Sequence, residues 1–129
     1  MKKILPLSHP QHIILGLALV GIGLILIYND FYFFWPPFAA SFLNDDLIGG
    51  IFMIIGILVI KWALDNRNKI AVNRNLLIIT AGLLALEATA EFSHGCVSGQ
   101  PNMLTAGFLE VIVLLFNFSI IGKSKKRNY

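Results

Sequence analysis

Four apolar runs separated by short polar stretches restrict the fold of this chain more than any other feature. A transmembrane helix needs about 20 mostly apolar residues to cross roughly 30 Å of hydrocarbon, and each run meets that requirement. Of the 129 residues, 57% are hydrophobic and only 13% are charged. A soluble domain with this composition would expose large apolar patches, which soluble monomers avoid. We therefore predict an all-α fold, a single-domain bundle of four transmembrane helices.

The predicted helices cover residues of about 10–28, 45–64, 75–94 and 101–121, with an aromatic outer loop at 29–44. Pro10 and Pro101 suit the first turns of the first and fourth helices. Asn44 and Asn73 are predicted to cap the second and third. The aromatic loop is typical of an interfacial belt on the membrane surface, or it docks a partner or lipid. Trp62 is a predicted anchor at the opposite interface.

Basic residues indicate the orientation of the bundle. All ten lysine and arginine residues lie near the two termini or around the loop between the second and third helices. The positive-inside rule then places the N-terminus, the C-terminus and that middle loop in the cytoplasm. We predict a multi-pass protein of the plasma (inner) membrane. The charge distribution is a topology signal and predicts no nucleic-acid partner.

Glycine spacing predicts how the first two helices pack. Gly16 and Gly23 lie seven residues apart in the first helix, and Gly49 and Gly56 have the same spacing in the second. Membrane helices associate through close backbone approach and interhelical hydrogen bonds, not through hydrophobicity. We therefore expect these two glycine pairs to face each other.

The third helix carries different residues on two sides, taking about 100° per residue. One face carries polar residues, which are Thr80, Glu87, Glu91 and His94. The nearly opposite face carries small residues, which are Ala81, Ala85 and Thr89. A helix of this kind should contact protein on both sides. We expect it to be central in the bundle or shared with a neighbouring subunit.

Two acidic residues fall inside the predicted membrane spans. Counted from the outer helix ends at about 1.5 Å per residue, Glu87 lies about 10 Å deep and Glu110 about 13 Å deep. Adjacent antiparallel helices would bring them to one level, with Asn117 on the same face as Glu110. Ionisable groups in hydrocarbon face the bundle interior or a water-filled cavity. We expect that the two carboxyl groups would not both stay ionised.

Three interpretations of these polar residues remain open. In the first, the acids are structural and hydrogen-bond across helices, helped by Asn117 and two threonines, Thr80 and Thr89. In the second, Glu87 and Glu110 handle protons or cations. In the third, Glu91 and His94 form a Glu-x-x-His pair that binds a divalent metal together with those two acids.

No catalytic motif stands out, so the sequence favours a protein that is not an enzyme. The preferred interpretation is association with itself or with other membrane subunits inside the lipid bilayer. The alternatives are a small proton- or cation-coupled transporter or channel, and a membrane effector of the holin or bacteriocin-immunity type. Cys96 is the only cysteine, which excludes an internal disulfide. We expect it to be a free thiol in the predicted outer loop at 95–100.

Overall fold

The computed structural model describes residues 9–29, 38, 46–65 and 69–126, with the backbone alone for 124–126. Four helices in these ranges are long and apolar enough to cross a membrane. They are α1 (Pro10–Tyr28), α2 (Asp46–Leu64), α3 (Ile70–Ser98) and α4 (Pro101–Lys126). The predicted all-helical, multi-pass membrane fold is confirmed for the described residues.

The third helix is longer than the sequence predicted, because it begins at 70 instead of 75 and ends at 98 instead of 94. The predicted start was too late because the first turns of the helix are polar. A helix of 29 residues is about 43 Å long, so polar turns can extend beyond roughly 30 Å of hydrocarbon. Gly99, at φ 71°, ends the helix in the left-handed conformation. Cys96 therefore lies exposed in the last turns of α3, not in a loop.

Smaller differences occur at the other ends. The fourth helix continues to Lys126 instead of ending near 121. The second begins at Asp46, and its predicted cap Asn44 lies outside the described residues. Most of the predicted aromatic loop also lies outside them. Of that loop the structure describes Asn29, which follows α1, and an exposed Phe38.

Glycines bring the backbones of α1 and α2 into contact. A Cβ atom on Gly56 would lie 2.6 Å from the carbonyl oxygen of Gly16. A Cβ atom on Gly49 would lie 2.8 Å from the carbonyl oxygen of Gly23. No side chain fits at such distances, so α1 and α2 form an antiparallel hairpin that depends on both glycine pairs.

Helices α3 and α4 form the second hairpin, and they too approach through glycine. A Cβ atom on Gly95 would lie 2.9 Å from Leu104 of α4. A Cβ atom on Gly107 of α4 would lie 3.2 Å from both Glu91 and Phe92. The contacts of α2 with α3 and of α1 with α4 are much less extensive than those within the hairpins.

The two hairpins enclose an apolar core. Its fully buried side chains come from all four helices, and they include Leu15, Leu19, Phe52, Leu77, Leu84 and Ile120. Large apolar side chains also cover the outside of every helix, as expected for surfaces that lipid solvates.

A polar cluster joins α1, α2 and α3 at the end of the bundle that carries the basic residues. His12 Nε2 donates to Asn73 Oδ1 at 2.8 Å, and both residues are buried. Trp62 Nε1 donates to the Lys69 carbonyl at 2.8 Å, and its ring packs 4.6 Å from that of His12. Two predictions are therefore wrong. Asn73 lies inside α3 and does not cap it, and Trp62 is a buried packing residue, not a lipid-facing anchor.

Candidate cation-binding site

Three glutamates from two helices converge inside the bundle. Glu87 and Glu91 come from successive turns of α3, and Glu110 comes from α4. One carboxylate oxygen from each lies within 4.8 Å of the other two. Their exposed fractions are 0%, 2% and 8%. The structure thus brings together three of the predicted site residues, Glu87, Glu91 and Glu110.

The site lies deep in the predicted hydrocarbon. Since α3 continues to Ser98, Glu87 is about 16 Å from the end of its helix, counted at about 1.5 Å per residue. Glu110 is about 13 Å from the start of α4 on the same count. Both positions therefore lie inside the predicted membrane span and not at its surface.

The three carboxyl groups do not have equivalent partners. The side chains of Glu91 and Glu110 are hydrogen-bonded to each other. Such a bond requires a proton on one of the two, because ionised carboxylates only accept. Both carboxylate oxygens of Glu87, in contrast, are buried and have no hydrogen-bond partner among the described residues. Glu87 is therefore the acid of the three whose carboxylate has no hydrogen bond to any described residue.

Electrostatics limits the states that this cluster can adopt. Three negative charges within a few ångströms of one another and away from water cannot coexist without a compensating cation. The described residues that line the cleft beside these acids, between α1 and α4, include no lysine, arginine or histidine. From the cleft, protons or a bound cation can supply the compensating positive charge.

Gly107 is a positioning residue that the sequence analysis missed. It lies against Glu91, where its missing side chain lets α4 come close to α3. Glu110 is one helical turn further along α4, on the same face. A glycine three residues before a membrane-embedded acid was the available signal. A glycine alone is a weak signal, because glycine is common in membrane helices.

The other predicted site residues have separate roles. His94 is fully buried, but it does not belong to the group of three glutamates. Asn117 Nδ2 donates across helices to the Leu77 carbonyl at 3.1 Å. The predicted helper hydroxyls of Thr80 and Thr89 donate within their own helix, to carbonyls four residues earlier.

A cleft of about 230 Å³ leads to the glutamates between α1 and α4. We call it the lateral cleft. One wall consists of α1 side chains, which are Ala18, Ile22, Ile25 and Leu26. The other consists of α4 side chains, which are Ala106, Leu109 and Val113. Among the described residues, Glu87, Glu91 and Glu110 are the only polar ones that line it. Because α1 carries no acid, its contribution to the site could not be predicted from the sequence.

The predicted association face of α3 points away from the site. Ala85 and Thr89 are exposed and Ala81 is half-buried. A Cβ atom on the neighbouring Gly82 would meet no atom of the described chain within 4 Å. In the part of the chain that the structure describes, no helix covers this face.

Comparison with known proteins gives no match to a family model, a curated protein or a solved structure. The function is therefore inferred from the geometry of the site.

Proposed function

We propose that this protein binds a cation inside the membrane at Glu87, Glu91 and Glu110 and exchanges it for protons, as a small transporter. The observation that carries the proposal is Glu87. Its side chain is fully buried, lines the lateral cleft and has two carboxylate oxygens without a hydrogen-bond partner among the described residues.

A purely structural role explains Glu87 less well. A structural carboxyl group in hydrocarbon would hydrogen-bond across helices, as Asn117 does to Leu77. An unsatisfied buried polar group instead costs about 1–3 kcal/mol. Natural proteins retain such a cost mainly at functional sites. A binding function requires that a ligand can reach the carboxylate, and the cleft beside Glu87 provides that access.

Exchange for protons follows from charge balance. Among the described residues that line the cleft, Glu87 is accompanied by Glu91 from its own helix and Glu110 from α4, and α1 contributes apolar side chains. Without a ligand, protons must reduce the negative charge of the cluster. When a cation binds, it takes over that role, and one or more protons leave. Cation movement is then coupled to proton movement in the opposite direction.

The test is proton release in liposomes that contain the purified protein and a trapped pH indicator. An outward proton gradient is imposed, and Na⁺, Mn²⁺ or tetraethylammonium is added outside. At least one of these cations should speed the loss of the gradient in the native protein. Glu87→Gln, which keeps the size but removes the charge, should slow that exchange by about tenfold, equivalent to about 1.4 kcal/mol.

Asp46→Asn is the matched control, because Asp46 is an exposed acid at the start of α2, remote from the cluster along the chain. It should exchange at the native rate. Equal rates in native protein and Glu87→Gln would overturn the proposal, as would the absence of exchange with every cation tested.

The other functional hypotheses from the sequence stay predictions. Association through the Ala85 face is compatible with its exposure, and a holin- or immunity-type effector is compatible with four membrane helices. The cytoplasmic termini and the plasma membrane as location also stay predictions.

A further inference from the structure

We infer that the cation is an amphiphilic organic ammonium ion that reaches the glutamates sideways from the bilayer, through the lateral cleft between α1 and α4. This inference rests on the proposed cation site and specifies its ligand. It would give the protein a function in handling membrane-partitioned amines.

The cleft opens on the lipid-facing surface of the bundle. Ile25 of α1 and Leu109 of α4 line it and are 53% and 58% exposed, whereas Glu87 is fully buried. Exposed apolar side chains at this depth face lipid. The cleft therefore runs from the lipid-facing surface inward to the carboxylates.

The packing of the two hairpins explains why the surface is open between α1 and α4. Helix α1 is held against α2 by its glycines, and α4 is held against α3 in the same way. The contact between α1 and α4 is much less extensive. Alanines, Ala18 and Ala106, line the cleft from opposite sides and leave room between the two helices. The gap is thus a consequence of how the two hairpins pack.

The residues that line the cleft match a ligand that carries both a positive charge and hydrocarbon. The cleft combines three carboxyl groups with walls of alanine, isoleucine, leucine and valine. Carboxylates favour a cation, and apolar walls favour a ligand with hydrocarbon next to its charge. Its volume of about 230 Å³ is below the roughly 300–1,000 Å³ of pockets that enclose drug-sized ligands. The cleft thus has room for an ammonium head and the start of a tail, while the rest of the tail remains in lipid.

A small inorganic cation fits the lining less well. Calcium takes 6–8 oxygen ligands, and magnesium keeps several of its waters. Apart from the three glutamates, the lining residues that the structure describes offer no polar side chain to bind the ion or those waters. An alkylammonium ion needs no such shell, because its methyl groups can contact the apolar walls directly.

The experiment measures equilibrium binding of radiolabelled decyltrimethylammonium to the protein in lipid nanodiscs, with empty nanodiscs subtracted. Tetramethylammonium supplies the head without the tail, and decanol supplies a tail without the charge. We expect saturable binding of decyltrimethylammonium that excess decanol does not displace. Binding should be about tenfold weaker for tetramethylammonium and for the Glu87→Gln variant.

Ala18→Leu tests the route. It adds three carbons inside the cleft and should weaken decyltrimethylammonium binding by about tenfold. Gly21→Leu is the control on the same helix, because a Cβ atom there meets nothing within 4 Å. It should bind as the native protein does. Melting temperatures close to the native value would show that each variant is folded.

The outcomes separate the inference from the proposed function. Native binding in folded Ala18→Leu or Glu87→Gln would overturn the inference. If Mn²⁺ or tetramethylammonium binds in a Glu87-dependent way and decyltrimethylammonium does not, the inference fails but the cation site stands. If no cation binds in a way that depends on Glu87, both fail.

Discussion

The two hairpins of this protein are held together by close glycine contacts but differ in what they contain. In the α1–α2 hairpin, Gly16 meets Gly56 and Gly23 meets Gly49, so backbone contacts backbone. In the α3–α4 hairpin, glycines also permit close approach, but the interface contains three buried glutamates and a buried asparagine. Most of the polar groups at membrane depth thus belong to one hairpin.

This difference shows how a chain of 129 residues can hold acids in lipid. The α1–α2 hairpin packs without polar side chains at membrane depth, because close backbone approach supplies its contacts. It then presents the apolar side of α1 to the acids of the α3–α4 hairpin. The α1–α2 hairpin is therefore the scaffold and provides one wall of the cleft. The α3–α4 hairpin carries the acids of the site.

The largest effect is expected from damage to the scaffold. In Gly56→Leu the new side chain would overlap the Gly16 carbonyl oxygen and Val20, which lie within 3 Å of a Cβ there. We expect the free energy of unfolding in mild detergent to fall by about 3 kcal/mol, the upper end for overpacking. Gly50→Leu is the control on the same helix, since a Cβ at Gly50 meets nothing within 4 Å. Similar losses in the two variants would contradict the assigned packing.

The next effect has the opposite sign and concerns the site. Glu87→Met replaces a buried carboxyl group that has no hydrogen-bond partner among the described residues with an apolar side chain of similar length. Because such a group costs about 1–3 kcal/mol, we expect the free energy of unfolding to rise by about 1 kcal/mol while cation exchange is lost. A variant that is less stable than the native protein would instead favour the structural interpretation of Glu87.

A smaller loss is expected where α1 meets α3 at the basic end. Asn73→Leu removes the partner of the buried His12 ring. Hydrogen bonds between membrane helices contribute about 0.6 kcal/mol on average and up to about 1.7, so we expect a loss of about 1 kcal/mol. Asn75→Leu, at an exposed position of the same helix, should change chemical-denaturation curves by less. An unchanged curve for Asn73→Leu would show that the bond adds nothing to stability.

The smallest effect on the fold is expected at the uncovered face of α3. Ala85 is exposed, so Ala85→Leu should change the free energy of unfolding by less than about 0.5 kcal/mol. If the protein associates through this face, the added bulk should lower the oligomer fraction in light scattering. Gly21→Leu adds bulk on α1 and should leave that fraction native. A strict monomer in all three proteins would remove association from the functional hypotheses.

The sequence by itself determined the membrane fold, the number of long apolar helices and the presence of acids at membrane depth. Those properties are local, because hydropathy is summed along one stretch of chain and a charge within it needs no partner to be noticed. The same local reasoning misplaced the ends of α3, because this helix is longer than the hydrocarbon is thick. Polar turns outside the apolar run, such as the one that contains Asn73, still belong to the helix.

Only the tertiary structure decided which polar side chains meet. It grouped Glu91 with Glu87 and Glu110, and His94 is not part of that group. It also turned Trp62 inward and placed the acid-free α1 beside the acids. The physical reason is that convergence depends on the rotation and closeness of neighbouring helices. Contacts such as that of Gly107 with Glu91 set these quantities, and the periodicity of a single helix does not contain them.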